Sequence, residues 1–263
     1  MKFIIPFLMI FAFSCAHQTQ NISYKSEGKT FNGHLAKPRF NNEKRPAVIV
    51  VHEWWGQNEY ARTRANMLAK EGYVALAMDM YGNGQVVEDP ASAGKLAGAV
   101  YSNMKSAEKR FVAAVKFLKS QPEVDPDRIA AIGYCFGGAM VLHMARAGMD
   151  LDGVISYHGN LKPQGVKAKK GKVKAQVLAF NGGADPFVPK SEIDAFKKEM
   201  SSAKVDYQSI DYKGALHAFT NPASDETGKR WKIPVAYDAK ADADSWSKSL
   251  VFLKKVFAKN TAL

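Results

Sequence analysis

Residues 132–138 read Ile-Gly-Tyr-Cys-Phe-Gly-Gly. A cysteine between two glycines closes an apolar run, Arg128–Ile132, and precedes a helical pattern, Gly137–Ala147, that stops at Gly148. An apolar β-branched run followed directly by helical periodicity implies a strand, a sharp turn and a helix. Glycines on both sides of Cys135 suit a turn too crowded for side chains there, one that leaves the middle residue proud of the sheet.

Working outward, the same alternation repeats. Ala47–His52 (AVIVVH) is continuous and β-branched, which predicts a central parallel strand buried on both faces. A helix is expected over 58–71, ending at Gly72, then a buried strand at Val74–Met78 and an amphipathic helix at Ser106–Lys119. Strands follow at Gly153–Tyr157 and Gln176–Phe180, a helix at Lys190–Met200, and a strand at Val205–Tyr212. The closing helix, near Ala239–Phe257, puts Trp246, Leu250, Leu253 and Phe257 on one stripe. Weaker strands are expected at Ile22–Tyr24 and Thr30–Ala36. The pattern is α/β, a mostly parallel central sheet with helices on both faces. Residues 16–263 are read as one domain of this kind. In such sheets ligands bind beyond the carboxyl ends of the strands.

Those strand ends carry the reactive residue types. His52-Glu53-Trp54-Trp55 follows one strand and Cys135 another; Asp185 comes after Gln176–Phe180, and His217 after Val205–Tyr212. Taken alone, Cys135 could be a small buried thiol, Asp185 before Pro186 a turn residue, and His217 a loop histidine. Together they stand in the order nucleophile, acid, histidine, which is that of α/β-hydrolases. A free thiol is mostly protonated at neutral pH and needs activation. His217 is placed to take that proton, Asp185 to fix the imidazole, and the amide dipoles of the following helix to favour the thiolate. The backbone N–H of Phe136 would meet a developing oxyanion, with Trp54 as the second donor. His52 and His158 also follow strands, and structural duty is expected of both.

The segments HEWWG, MDMYG, IGYCFGG, GGADPFVP and GALHAFTNP, in this order, resemble the dienelactone hydrolases across nearly the whole chain after the first residues. The resemblance implies an α/β-hydrolase fold that cleaves small esters or lactones, without metal or cofactor. It implies Cys135 as nucleophile, His217 as base and Asp185 as orienting acid. It further implies Glu53 as a carboxylate that contacts the resting thiol, and Trp54 and Phe136 as the oxyanion-hole amides. Family members that open dienelactone hold its carboxylate with two arginines. Here one of those places is Asn221, and no arginine lies between Arg64 and Arg110, where Lys95 is the nearest cation. Trp55 and Asn221 are the pocket candidates, and two tryptophans beside the site favour an apolar or aromatic group.

Residues 1–15, MKFIIPFLMIFAFSC, read as a targeting segment, with Lys2 before an apolar run too short for a permanent span. Small residues leading into Cys15 resemble a lipoprotein signal, with Cys15 lipidated and the protein anchored on the outer side of a membrane. Ala12 stands where such signals usually carry leucine, and cleavage after Ser14 or Ala16 is the alternative. Cys135 is then the one remaining cysteine of two, with no disulfide partner in its own chain. The net charge is +12, but the densest lysine run, 162–174, contains proline and glycine and no aromatics. It reads as a solvated linker, and nucleic acid is not expected as a partner. No histidine pair has metal-ligand spacing. Two other readings compete with a small-ester hydrolase. One is a binding or thiol redox-sensing protein on the same fold; the other is a hydrolase of thioesters or peptides.

Overall fold

A computed structural model describes residues 17–39 and 43–258; the targeting segment and Cys15 lie outside them. In chain order the elements are β1 (His17–Ser26), β2 (Lys29–Pro38), β3 (Arg45–Val51), α1 (Glu59–Lys70), β4 (Val74–Met78), α2 (Pro90–Tyr101), α3 (Met104–Lys119) and β5 (Val124–Tyr134). They continue with α4 (Phe136–Ala147), β6 (Gly153–Tyr157), β7 (Gln176–Gly182), α5 (Lys190–Ser202), β8 (Tyr207–Tyr212), α6 (Ser224–Trp231) and α7 (Ala239–Ala258). Among the described residues the eight strands form one sheet, ordered β1-β2-β4-β3-β5-β6-β7-β8. β1 and β2 pair antiparallel as a hairpin, β2 meets β4 antiparallel, and every pairing from β4 to β8 is parallel.

β3 shows why the apolar runs are continuous. Ala47, Ile49 and Val51 face a core shared with α3, α4 and α5, while Val48 and Val50 face a second core under α1 and α7. A strand covered on both sides has no polar face to alternate with. β1 is the opposite case. As an edge strand it buries only Tyr24 and Ser26, so its apolar signal covers a fraction of its ten residues.

Helix ends follow local chemistry. The Asn58 side chain accepts from the Ala61 amide at the start of α1, and Asp89 does the same for Ser92 at α2, with Pro90 in the first turn. Gly148 closes α4 in the left-handed region, at φ 80°. Two helices, α2 and α6, were not expected from the sequence. α2 has only the small stripe Ala93, Ala97 and Val100 and two internal glycines; α6 buries only Ser224.

Candidate active site

The turn at Cys135 is as crowded as its glycines suggested. A Cβ on Gly133 would lie 2.1 Å from the Gly137 carbonyl oxygen, and one on Gly137 would lie 2.2 Å from that of Val51. Cys135 itself has φ 52° and ψ −115°, a conformation side chains rarely adopt, costing on the order of 1–3 kcal/mol. It is the residue before the first turn of α4, so the helix's free amides surround it. The chain there crosses the carboxyl edge of the sheet between β3 and β6.

Asp185 and His217 come from neighbouring strand ends that are tied together. The Gly183 amide donates to the Tyr212 carbonyl at 2.7 Å, and the Ala184 amide to that of Ala215 at 3.0 Å. His217 is held from the other side, where the Ala236 amide donates to its carbonyl at 3.2 Å. Asp185 is buried. Its Oδ1 accepts from the Phe187 amide at 2.8 Å, and its Oδ2 from His217 Nδ1 at 2.7 Å. That contact leaves the other ring nitrogen of His217 for Cys135, and both residues line the same cavity. Burial alone would lower the imidazole's pKa. The charge that Cys135 would carry as a thiolate and the bond to Asp185 outweigh it and raise His217 to about 10.

Glu53, at the end of β3, is 2% exposed, and its Oε2 accepts from Asn221 Nδ2 at 2.7 Å. Burial raises its carboxyl to about 7, against the Asn221 bond and the positive charges of His217 and Arg64. Beside it, His52 bonds through Nδ1 to the Glu53 carbonyl and accepts the Met80 amide at Nε2, 3.2 Å away. In a trans peptide the Trp54 N–H points opposite to the Glu53 carbonyl, so His52 also sets the direction of that N–H. The Trp54 carbonyl is held in turn by the Tyr81 hydroxyl at 2.8 Å.

These residues share one cavity of about 380 Å³. Cys135, His217, Glu53 and Asn221 line it, together with Trp54, Trp55, Phe136 and an apolar wall of Tyr101, Phe187, Ile233 and Val235. No lysine or arginine lines it among the described residues; Lys95 and Arg230 are both elsewhere. Every site residue expected from the sequence within the described residues therefore borders this one space, except Asp185, which stands behind His217. Sequence reasoning missed the walls supplied by α2, α6 and the segment after α6. Among the described residues no group of side chains is arranged to hold a metal ion.

The model of the dienelactone hydrolase family matches residues 31–257. A protein of Aquifex aeolicus provisionally named carboxymethylenebutenolidase is 28% identical, over 89% of this chain and 97% of its own. The crystal structure of a dienelactone hydrolase-like promiscuous phosphotriesterase from metagenomic libraries is 33% identical, with a TM-score of 0.84, over 92% of this chain and 99% of that one. An α/β-hydrolase enzyme from a deep-sea metagenome is 15% identical with a TM-score of 0.66, over 91% and 98%, and shares the fold.

Proposed function

The chain belongs to the dienelactone hydrolase family and is a hydrolase of α/β-hydrolase fold, and from that premise we propose that it cleaves small neutral carboxylic esters or lactones through a thioacyl-enzyme on Cys135. The observation that carries this reading is the buried Asp185–His217 hydrogen bond set beside Cys135, which stands on a strained turn at the floor of the same apolar cavity. His217 holds the thiol proton, and Cys135 Sγ attacks the acyl carbon. The oxyanion is met by the amides of Phe136 and Trp54. Collapse breaks the acyl–oxygen bond, and His217 protonates the departing alkoxide. For a lactone that alcohol stays tethered to the acyl group. A water molecule then gives its proton to His217 and attacks the thioester; the acid leaves and the thiolate is restored. Glu53 borders this space with a carboxyl that titrates near neutrality and serves as a further proton acceptor beside the thiol.

Neutral substrates are favoured because the cavity offers a carboxylate no lysine or arginine, the Asn221 amide is committed to Glu53, and the His217 imidazolium is engaged by the buried Asp185. Two lost charge-assisted bonds correspond to roughly 10²–10⁴-fold in recognition. The test is kcat/KM for p-nitrophenyl acetate, a neutral phosphotriester and the carboxylated dienelactone, with and without a thiol alkylator. We expect alkylation to abolish turnover and the neutral aryl ester to lead. Equal turnover after complete alkylation of Cys135 would overturn the mechanism, and a strong preference for the dienelactone the substrate class.

The same reading includes export and a lipid anchor at Cys15, supported by the sequence of residues 1–15. Among the described residues no helix is long and apolar enough to cross a membrane. Replacing Cys15 by Ala should release the protein from the membrane fraction and block labelling by fatty acid. Unlabelled wild type would instead favour soluble export.

A further inference from the structure

His158 lies at the end of β6, fully buried, with φ 40°. Its amide donates to the Phe180 carbonyl at 2.8 Å, which fixes its backbone. Both ring nitrogens are engaged. Nδ1 lies 3.1 Å from the Cys135 amide, which also reaches the Tyr157 carbonyl at 3.0 Å. Nε2 lies 2.8 Å from Thr220 Oγ1.

An amide can only donate, so Nδ1 must be the bare nitrogen, and the proton sits on Nε2, directed at Thr220. The ring remains neutral: burial and the positive charges of His217 and Arg64 push its pKa well down.

Thr220 is three residues beyond His217, in the same loop. That loop is anchored further. Thr220 Oγ1 is 2.6 Å from the Tyr60 hydroxyl, and the buried Arg64 donates to the Thr220 carbonyl and, at 3.3 Å, to Tyr60. Arg64 is itself held by Asp242 of α7 at 2.6 Å. One imidazole therefore spans the strained turn of Cys135 and the loop of His217. It also packs edge-on against the His217 ring, with centroids 5.2 Å apart.

We propose that His158 is a positioning residue: through its Nδ1 and Nε2 bonds it braces the Cys135 turn against the His217 loop, setting the distance across which the thiol proton moves. It contacts no reacting atom. This rests on Cys135 and His217 being the nucleophile and base. An amide side chain can replace only one arm, an Asn at the Nδ1 position or a Gln at the Nε2 position. Thr220→Val removes the far arm at nearly constant volume, while Thr220→Ser keeps it.

The experiment measures kcat and KM for p-nitrophenyl acetate, and Cys135 alkylation rates, in His158→Asn, His158→Gln, Thr220→Val and Thr220→Ser, with thermal unfolding as a check on folding. A misplacement of about 1 Å lowers kcat by roughly 10- to 100-fold. We expect that loss in the first three, with KM within about twofold, slower alkylation in step with kcat, and recovery of most activity in Thr220→Ser. Adding Thr220→Val to His158→Asn should cost little more, since both break one brace. Folded His158→Asn and Thr220→Val with wild-type kcat would overturn the brace. A wild-type nitrogen NMR spectrum with the His158 proton on Nδ1 would do so without any variant. Full activity in Cys135→Ala would refute the nucleophile instead, so the two failures are distinguishable.

Discussion

The floor and the walls of the cavity are built by different means. The floor is made of residues one to five places beyond parallel strands, buried or partly buried and tied to neighbouring backbone by hydrogen bonds. The walls come from α2, α6 and the segment 233–235, which sit over the sheet edge and contribute mainly apolar area. Backbone bonds to a neighbouring strand end fix floor residues, as the Gly183 and Ala184 amides tie the Asp185 turn to the end of β8. α6, by contrast, buries a single serine and is charged at four of its eight residues. Reaction chemistry demands placement to within about 0.5 Å, whereas fit of a small acyl group tolerates more. We read the floor as the part that sets the reaction and the walls as the part that sets the substrate.

The largest expected effect tests the floor. Cys135→Ala should abolish ester turnover, and His217→Ala or Asp185→Ala should each lower kcat on the order of 10³-fold or more. Because the three act as a unit, the double variant His217→Ala/Asp185→Ala should be barely slower than the worse single. Multiplicative losses in the double variant would mean that the two residues act independently, and the floor could not be treated as one device.

The same division explains what was legible in the sequence. β3, β4, β6 and β7 are buried on both faces, so their apolar runs announce them, and the residues just beyond are easy to find. β5 is longer than its apolar core, beginning at Val124 through the half-buried Asp125 and Pro126. α6 gave no apolar stripe. Its one signal was Asp225 and Glu226 in the first turn and Lys229 and Arg230 in the last, the charge order that suits a helix dipole. Gly228 is unfavourable inside a helix, yet it is needed: a Cβ there would lie 2.5 Å from the Val235 carbonyl oxygen. α2 was announced only by Asp89-Pro90 and its capping bond. His158 was legible as structural but not as a link between two loops, since nothing in sequence brings Thr220 to it. Asn221 was read as a missing cation; its bond to Glu53 depends on two segments 168 residues apart.

Glu53 is tied through Asn221 to the loop that carries His217 and leads into α6, and its titration sharpens the boundary. Its folded pKa, about 7, lies above the usual 4.5, so between those values the folded protein holds more protons than the unfolded one. Stability from this group is therefore fully present at low pH and declines as pH rises from about 4.5 through 7. The full shift corresponds to about 3 kcal/mol, an upper figure because the Asn221 bond remains available to the carboxylate. Glu53→Gln, which can accept the same bond without charge, should gain stability relative to wild type between pH 5 and pH 8. Denaturant unfolding at the two pH values measures the difference. A constant gap would show that Glu53 is no harder to ionise in the folded protein than in the unfolded chain.

The smallest effect belongs to the walls. Ile233 and Val235 line the cavity and are partly buried, so each offers substrate a portion of one aliphatic side chain. Removing a few methyl groups from such a wall is worth roughly 1 kcal/mol toward an acyl chain long enough to touch it, about fivefold in kcat/KM. For an acetyl group that stays at the floor the same change should be nearly silent. Ile233→Ala and Val235→Ala should therefore leave p-nitrophenyl acetate within about twofold of wild type and lower kcat/KM for the butyrate or hexanoate about fivefold, mostly through KM. Should acetate suffer as much as hexanoate, the defect would have reached His217, whose carbonyl accepts from the Ala236 amide immediately after Val235. In that case the segment after α6 would belong to the floor, and the division drawn between the two regions would have to move to α6 itself.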